Sequence, residues 1–353
     1  MKRILHIVGG MYPGGLENFI MNIFRNLDKE EVCFDVIVHS IREGDYTAEI
    51  ERLGGRVYLA PRKMRHPIKN YFAIRRIVKN GKYNVVVRHS DNAFPVVDLM
   101  AARSGGAKRR IYQSHSSNTQ LVGLHRFFRH FMGIVPTDRF ACSENAGRWM
   151  YGKRDFKVVK NAIDIGAYTY NADVREACRQ EWGFTDKVVY SHVGIYMPAK
   201  NHKFLIEFFA LLARKQENAV LLLIGEGDLR SEMEAQIKEL GMEERIILTG
   251  IRSDVPRLLQ MTDVFLFPSI YEGLPLSVIE AEAAGLKCLI SEAITDEVVV
   301  TDLVTKKELS DGALSWAEAA IELSQPYSRR STYEEVAGAG YDVKKLAKWY
   351  GEL

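Results

Sequence analysis

Short apolar runs bounded by glycine, proline or polar clusters recur along the chain, and stretches with a helical repeat separate most of them. Residues 2–8 predict a first strand, and 34–38, 56–59, 85–88, 110–113, 139–142 and 157–160 predict those that follow. Leu16, Phe19, Ile20, Ile23, Phe24 and Leu27 fall on one helical face just after the first strand. Residues 165–186 read as a polar linker with a short helix, after which the pattern starts afresh. It gives strands at 188–194, 219–224, 246–249, 264–267 and 287–290, and helices over 204–214, 276–284, 313–323 and 343–353. Strands alternating with helices predict two α/β units, each with a largely parallel sheet whose carboxyl ends form a ligand-binding rim.

A length of 353 residues is enough for two such units, each with its own core. No run approaches the roughly 18 apolar residues that a membrane-crossing helix needs. The start, with His6 interrupting a short apolar run, reads as a strand and not as a leader peptide. Cys33, Cys142, Cys178 and Cys288 are scattered, which suits reduced thiols in a cytoplasmic protein and gives no metal site. The formal charge of +3 hides an asymmetry: residues 1–164 carry 28 Lys and Arg against 15 Asp and Glu, the remainder 20 against 30. A basic half suits an anionic lipid surface, a phosphorylated substrate or nucleic acid. No nucleic-acid-binding signature accompanies the charge, so no nucleic-acid partner is expected.

The most informative stretch is 265–285. A buried strand ends at Pro268, Glu272-Gly273-Leu274-Pro275 makes a turn, and a helix from Leu276 ends at Gly285. The helix start aims backbone N–H groups at the space beside Glu272 and Gly273, which suits a phosphate. Glu272 and Glu280 flank that space, and ionised carboxylates accept sugar hydroxyls well. A glutamate at a helix start also complements the helix dipole without any ligand.

Pro268, Ser269, Glu272, Gly273, Pro275, Glu280, Ala281 and Gly285 together resemble the signature of the GT4 family of retaining nucleotide-sugar glycosyltransferases. The resemblance covers nearly the whole chain and is most specific between residues 188 and 291. It implies a GT-B fold, two Rossmann-like doubly wound domains with the active site in the cleft between them. The domains would be 1–164, on the acceptor side, with a helix at 341–353 packing back on it, and 165–340, holding the nucleotide-sugar.

Site residues carry over from the family position by position. Gly14 and Gly15, Lys200, and the helix start through Leu274, Leu276 and Ser277 would meet the donor diphosphate. Glu280 would hold the ribose hydroxyls, and Glu272 with Gly273 the donor sugar. Gly225 and Gly227 would lie beside the nucleotide, and Ile251 and Arg252 beside the base. His115, in the cluster Ser114-His115-Ser116-Ser117-Asn118, would face the sugar and acceptor, with His89 a second residue on that rim. One position departs: the family's phosphate-binding Arg is Ile195 here, and Arg252 is one candidate to replace its charge.

The resemblance thus implies transfer of a hexosyl-type sugar, from a UDP-sugar by preference, to a polysaccharide precursor on a lipid carrier, with the anomeric configuration retained and no metal or other cofactor. Same-face attack, with the donor phosphate taking the acceptor proton, fits the absence of a glycosidase-type nucleophile. The alternative is a catalytically degenerate scaffold in a polysaccharide assembly complex, for which Ile195 speaks. Residues 61–82 and 121–131 interleave basic and aromatic side chains, which suits a peripheral contact with anionic lipid or a packed helix with a solvated basic face.

Overall fold

The computed structural model describes every residue except 1, 13 and 117. In the first unit β1 (Lys2–Ile7), α1 (Gly15–Asn26), β2 (Val32–Val38), α2 (Thr47–Arg52), β3 (Val57–Leu59), α3 (Pro67–Gly81) and β4 (Val85–Ser90) lead on to α4 (Val96–Ser104). Then come β5 (Arg109–Ser114), α5 (Val122–Phe128), β6 (Asp138–Ala141), α6 (Glu144–Tyr151) and β7 (Lys157–Val158). The second unit runs α7 (Ile165–Tyr168), α8 (Ala172–Trp182), β8 (Val188–Val193), α9 (His202–Lys215), β9 (Ala219–Ile224), α10 (Arg230–Glu239), β10 (Ile246–Gly250) and α11 (Val255–Met261). It closes with β11 (Val264–Phe267), α12 (Leu276–Ala283), β12 (Lys287–Ser291), β13 (Val304–Lys307), α13 (Gly312–Leu323) and α14 (Tyr333–Gly338). A last helix, α15 (Val343–Gly351), belongs to the first unit, which comprises Met1–Ala162 and Asp342–Leu353; the second is Ile163–Tyr341.

The first sheet has the order β3-β2-β1-β4-β5-β6-β7, the second β10-β9-β8-β11-β12-β13, and every pairing is parallel. A parallel sheet needs cover on both faces, so its central strands are apolar throughout. Accordingly Phe34, Val86, Ile111, Leu222 and Phe265 are all buried, and β9 is buried along its whole length. In each sheet the winding reverses once, between β1 and β4 and between β8 and β11. The two crossovers leave those neighbouring strands in opposite directions, which opens a crevice at their carboxyl ends.

The sequence expectation lacks the helix α14 and differs in kind at two further places. The stretch expected as a linker with a short helix holds two helices, α7 and the eleven-residue α8, whose Asn171 side chain accepts from the Val174 N–H as a cap. The strand β13 has no counterpart in that expectation: it lies at the sheet edge, and its Val-Thr-Lys-Lys sequence is mostly half-exposed, so it lacks an apolar run. Pro275 precedes α12 in an extended conformation (ψ 100) as its cap residue. Gly285 ends that helix at φ +69, and a Cβ there would sit 2.4 Å from the Arg330 carbonyl oxygen, so only glycine fits.

Candidate active site

At the reversal point of the second sheet, the chain leaving β8 runs through Gly194 to Lys200 and that leaving β11 through Pro268 to Glu272. Two bonds tie the segments together. The Ile270 N–H donates to the Ala199 carbonyl at 2.8 Å, and Asn201 Nδ2 donates to the Pro268 carbonyl at 3.2 Å. Asn201 holds a left-handed conformation (φ 58), which asparagine tolerates better than most residues. The clamp sets Lys200 Nζ 2.8 Å from Glu272 Oε1, with both side chains mostly buried, and 4.6 Å from the centre of the Phe267 ring. The ammonium thus rests on an aromatic floor with its charge matched by one carboxylate.

Beside the pair, α12 begins with no side-chain cap, so the N–H groups of Leu276 and Ser277 are left for a ligand or water. Gly273 is exposed, and nothing lies within 4 Å of where a Cβ would stand. Leu274 packs against the apolar core beneath. The two glutamates of α12 differ sharply. Glu282 is fully buried and accepts from the Thr301 N–H and hydroxyl and from the Val300 N–H, so it fastens a loop; burial still pushes its pKa up to about 7. Glu280 keeps part of its surface exposed, yet burial of its carboxyl also pushes the pKa up to about 7, opposed by a hydrogen bond from the Tyr168 hydroxyl. Of the two, Glu280 has capacity to spare for a ligand.

Gly225 and Gly227 have a structural reason that the sequence did not show. A Cβ on Gly225 (φ +152) would lie 2.0 Å from the Gly194 carbonyl oxygen, and one on Gly227 2.5 Å from that of Tyr196. They let the chain after β9 pack against the chain leading to Lys200. Ile251 is exposed. Arg252 is forked onto Asp254 at 2.8 and 2.7 Å, so its charge is already matched. Ile195 is exposed on the same segment as Lys200.

In the first unit, Gly14 caps α1 without a side-chain bond, and Gly15 opens the helix with nothing within 4 Å of a Cβ position. The Glu17 carboxylate turns back to this helix start: its Oε2 lies 2.8 Å from a Gly14 Cβ position, and it accepts from its own backbone N–H. His115 follows β5 on the rim, and His89 ends β4. His89 Nδ1 lies 2.9 Å from His115 Nε2. Ser117 of the polar cluster lies outside the described residues. Sequence reasoning missed Asn201 and His6; the first had a weak signal in a Lys-Asn-His run before a helix, the second only in a polar residue within an apolar strand. Among the described residues no cluster of His, Cys, Asp and Glu is arranged to hold a metal, and no helix is long and apolar enough to cross a membrane.

Comparison with known proteins agrees with this layout. Residues 13–166 match the model for "Glycosyltransferase Family 4" and residues 174–336 that for "Glycosyl transferases group 1". EpsF of Bacillus subtilis (strain 168) is 31% identical over 98% of this chain and 94% of its own length. A UDP-Gal:alpha-D-GlcNAc-diphosphoundecaprenol alpha-1,3-galactosyltransferase of Escherichia coli is 23% identical, covering 82% of this chain and 79% of its own. The crystal structure of Anabaena HepE in complex with UDP superposes with a TM-score of 0.76 at 19% identity, over 99% of this chain and 95% of that one. The fold is thus the GT-B fold, and a chain matched this fully at both halves belongs to the family 4, group 1 glycosyltransferases and is a glycosyltransferase enzyme.

Proposed function

We propose that this enzyme moves a hexosyl-type sugar from a UDP-sugar to a lipid-linked glycan precursor, with retention of anomeric configuration. The observation that carries the reading is the Lys200–Glu272 pair at the reversal point of the second sheet, beside the uncapped start of α12. Lys200 and the N–H groups of Leu276 and Ser277 meet the diphosphate, and charge building on the leaving group is matched where it develops. Glu280 accepts the ribose hydroxyls. Glu272 gives up part of its contact with Lys200 to hold hydroxyls of the donor sugar. The donor phosphate takes the acceptor proton on the face that the leaving group vacates. Lysine and helix termini supply the positive charge, so turnover persists with chelator present.

The choice of uridine is supported by the UDP complex of HepE, and that of a lipid-linked acceptor by the diphosphoundecaprenol in the name of the Escherichia coli relative. A thermal-shift comparison of UDP, GDP and ADP tests the donor. UDP alone is expected to raise the melting temperature, since a ligand at about 100 times its Kd adds about 2.7 kcal/mol; a rise with GDP or ADP instead overturns the choice. Glu280 adds a signature. Its carboxyl, with a pKa of about 7, accepts hydroxyls more strongly when ionised, so UDP binding releases part of a proton and tightens as pH rises from about 6 to about 8. Calorimetry in two buffers of different ionisation enthalpy reads that release directly.

Lipid attachment of the acceptor gives the first unit a further expected role. Ile68 and Phe72 stand exposed on α3 among basic residues, Phe127 stands exposed on α5, and Phe94 bridges the two helices through a ring contact of 5.1 Å with Phe128. Such a face suits shallow insertion among anionic headgroups. The protein is expected to sediment with vesicles containing about one third phosphatidylglycerol and not with pure phosphatidylcholine, and Phe72→Asp to weaken this. Equal recovery with both vesicles removes the membrane contact.

A further inference from the structure

Three histidines from neighbouring strands of the first sheet touch ring to ring. His6 on β1 places Nδ1 2.8 Å from Nε2 of His89 on β4, whose Nδ1 lies 2.9 Å from Nε2 of His115 after β5. Successive ring centres are 5.1 Å apart. His6 and His89 are buried, and His115, partly exposed, is the outermost. Burial drives His6 and His115 down to about 3 and His89 well below the ordinary range, so all three rings are neutral at pH 7.

A neutral imidazole has one N–H donor and one bare nitrogen. Two consecutive ring-to-ring bonds can then run in one direction only: every ring donates from Nδ1 outward, or every ring donates from Nε2 inward. The far nitrogen of the innermost ring decides between them. Among the described residues His6 Nε2 is buried with no hydrogen-bond partner, and the ring centres of Phe34 and Tyr350 lie 4.1 and 6.3 Å from that of His6. Inward donation would leave a proton on that nitrogen as an orphaned donor, and outward donation leaves only a bare lone pair. Buried N–H groups without partners are the rarer and costlier case. The bonds therefore run outward.

We propose that His6 and His89 are positioning residues that fix His115 as its Nδ1–H tautomer, so that it meets ligand as a hydrogen-bond donor to a sugar hydroxyl or phosphate oxygen. In this form Nδ1 has no lone pair with which to take the acceptor proton, and Nε2 is occupied by His89. The inference rests on the reading that places His115 beside the sugar and acceptor, but its first test does not depend on that reading. In protein labelled with 15N-histidine, long-range 1H–15N correlation at pH 7 is expected to show Nδ1 protonated and Nε2 bare on His6, His89 and His115. Protonated Nε2 on His115 overturns the proposal.

The second test reads activity as UDP released from UDP-glucose. The side-chain amide of asparagine stands near the place of Nδ1, that of glutamine near Nε2. His115→Asn is expected to stay within about tenfold of wild type, and His115→Gln to fall by about a hundredfold. The reverse order overturns the donor role. Cutting the relay at its inner end with His6→Gln is expected to return His115 to a mixture of tautomers; an unchanged spectrum removes His6 from it. Full activity of His115→Ala, when wild-type His115 shows the Nδ1–H spectrum, would instead sink the placement of His115 beside the ligand.

Discussion

Lys200→Ala is expected to lower release of UDP from the proposed UDP-sugar donor by about 10²–10³, or about 2.7–4 kcal/mol of transition-state stabilisation, the usual cost of removing one preorganised partner of a developing anion. In the proposed reading the lysine stands where that charge forms, and no family Arg shares the task, since Ile195 occupies that position and Arg252 is bound to Asp254. UDP itself carries the diphosphate, so the same variant also binds UDP about tenfold more weakly. Loss of turnover then exceeds loss of binding because charge on the leaving group grows toward the transition state.

Glu272→Gln separates the two members of the pair. In the free enzyme Glu272 holds Lys200 at 2.8 Å and competes with any incoming phosphate. Removing the carboxylate charge frees the ammonium, so UDP affinity rises severalfold while turnover of UDP-glucose falls, because the donor sugar loses its anionic acceptor. Parallel changes in both quantities, measured by calorimetry and UDP release, would show that Glu272 only orients Lys200. An unchanged rate in Lys200→Ala would remove the phosphate role altogether and favour a scaffold reading of the site.

How far the sequence disclosed this arrangement depended on how local each signal was. Strands buried on both faces are continuous apolar runs, so β9 and β11 were legible, whereas β13 at a half-exposed edge was not. Lys200, Glu272 and Glu280 were singled out through their motifs, and the structure pairs the first two. Their partners were not, because the bond from Lys200 to Glu272 exists only once β8 lies beside β11. The histidine relay is more remote still: it needs the order β1-β4-β5 and registers that set His6 opposite Val87 and His89 opposite Gln113, each two residues short of the next histidine. Gly225 and Gly227 carried a readable turn signal with an incomplete cause, since the atoms that exclude a side chain belong to Gly194 and Tyr196.

Acidification is expected to unfold the first unit before the second. Burial lowers His6 and His115 to about 3, His39 to about 4 and His89 well below the ordinary value of 6.5, and all four lie in the first unit. A group depressed in the fold leaves stability intact above its unfolded pKa and drains it as pH falls toward the folded one, because the unfolded chain takes up a proton that the fold refuses. From about pH 6.5 to 5 that is at most about 2 kcal/mol per histidine, less for the partly exposed His39 and His115, and in sum it approaches the whole stability of a domain. The second unit loses similarly through His192 and His202, but Glu280 and Glu282 act in the opposite sense. Raised from 4.5 to about 7, they contribute fully below the unfolded value and lose that contribution as pH rises through 7, so acidification from neutrality strengthens their share. The opposing pairs nearly cancel there, and nothing of that size compensates in the first unit. Calorimetry at about pH 5 should therefore resolve a low-temperature transition, and hydrogen exchange at that pH should show β1, β4 and β5 losing protection while β8, β9 and β11 keep theirs. Earlier exchange in the second sheet would mean that the relay histidines take up protons within the fold, and with that the neutral chain on which the His115 tautomer depends would fall.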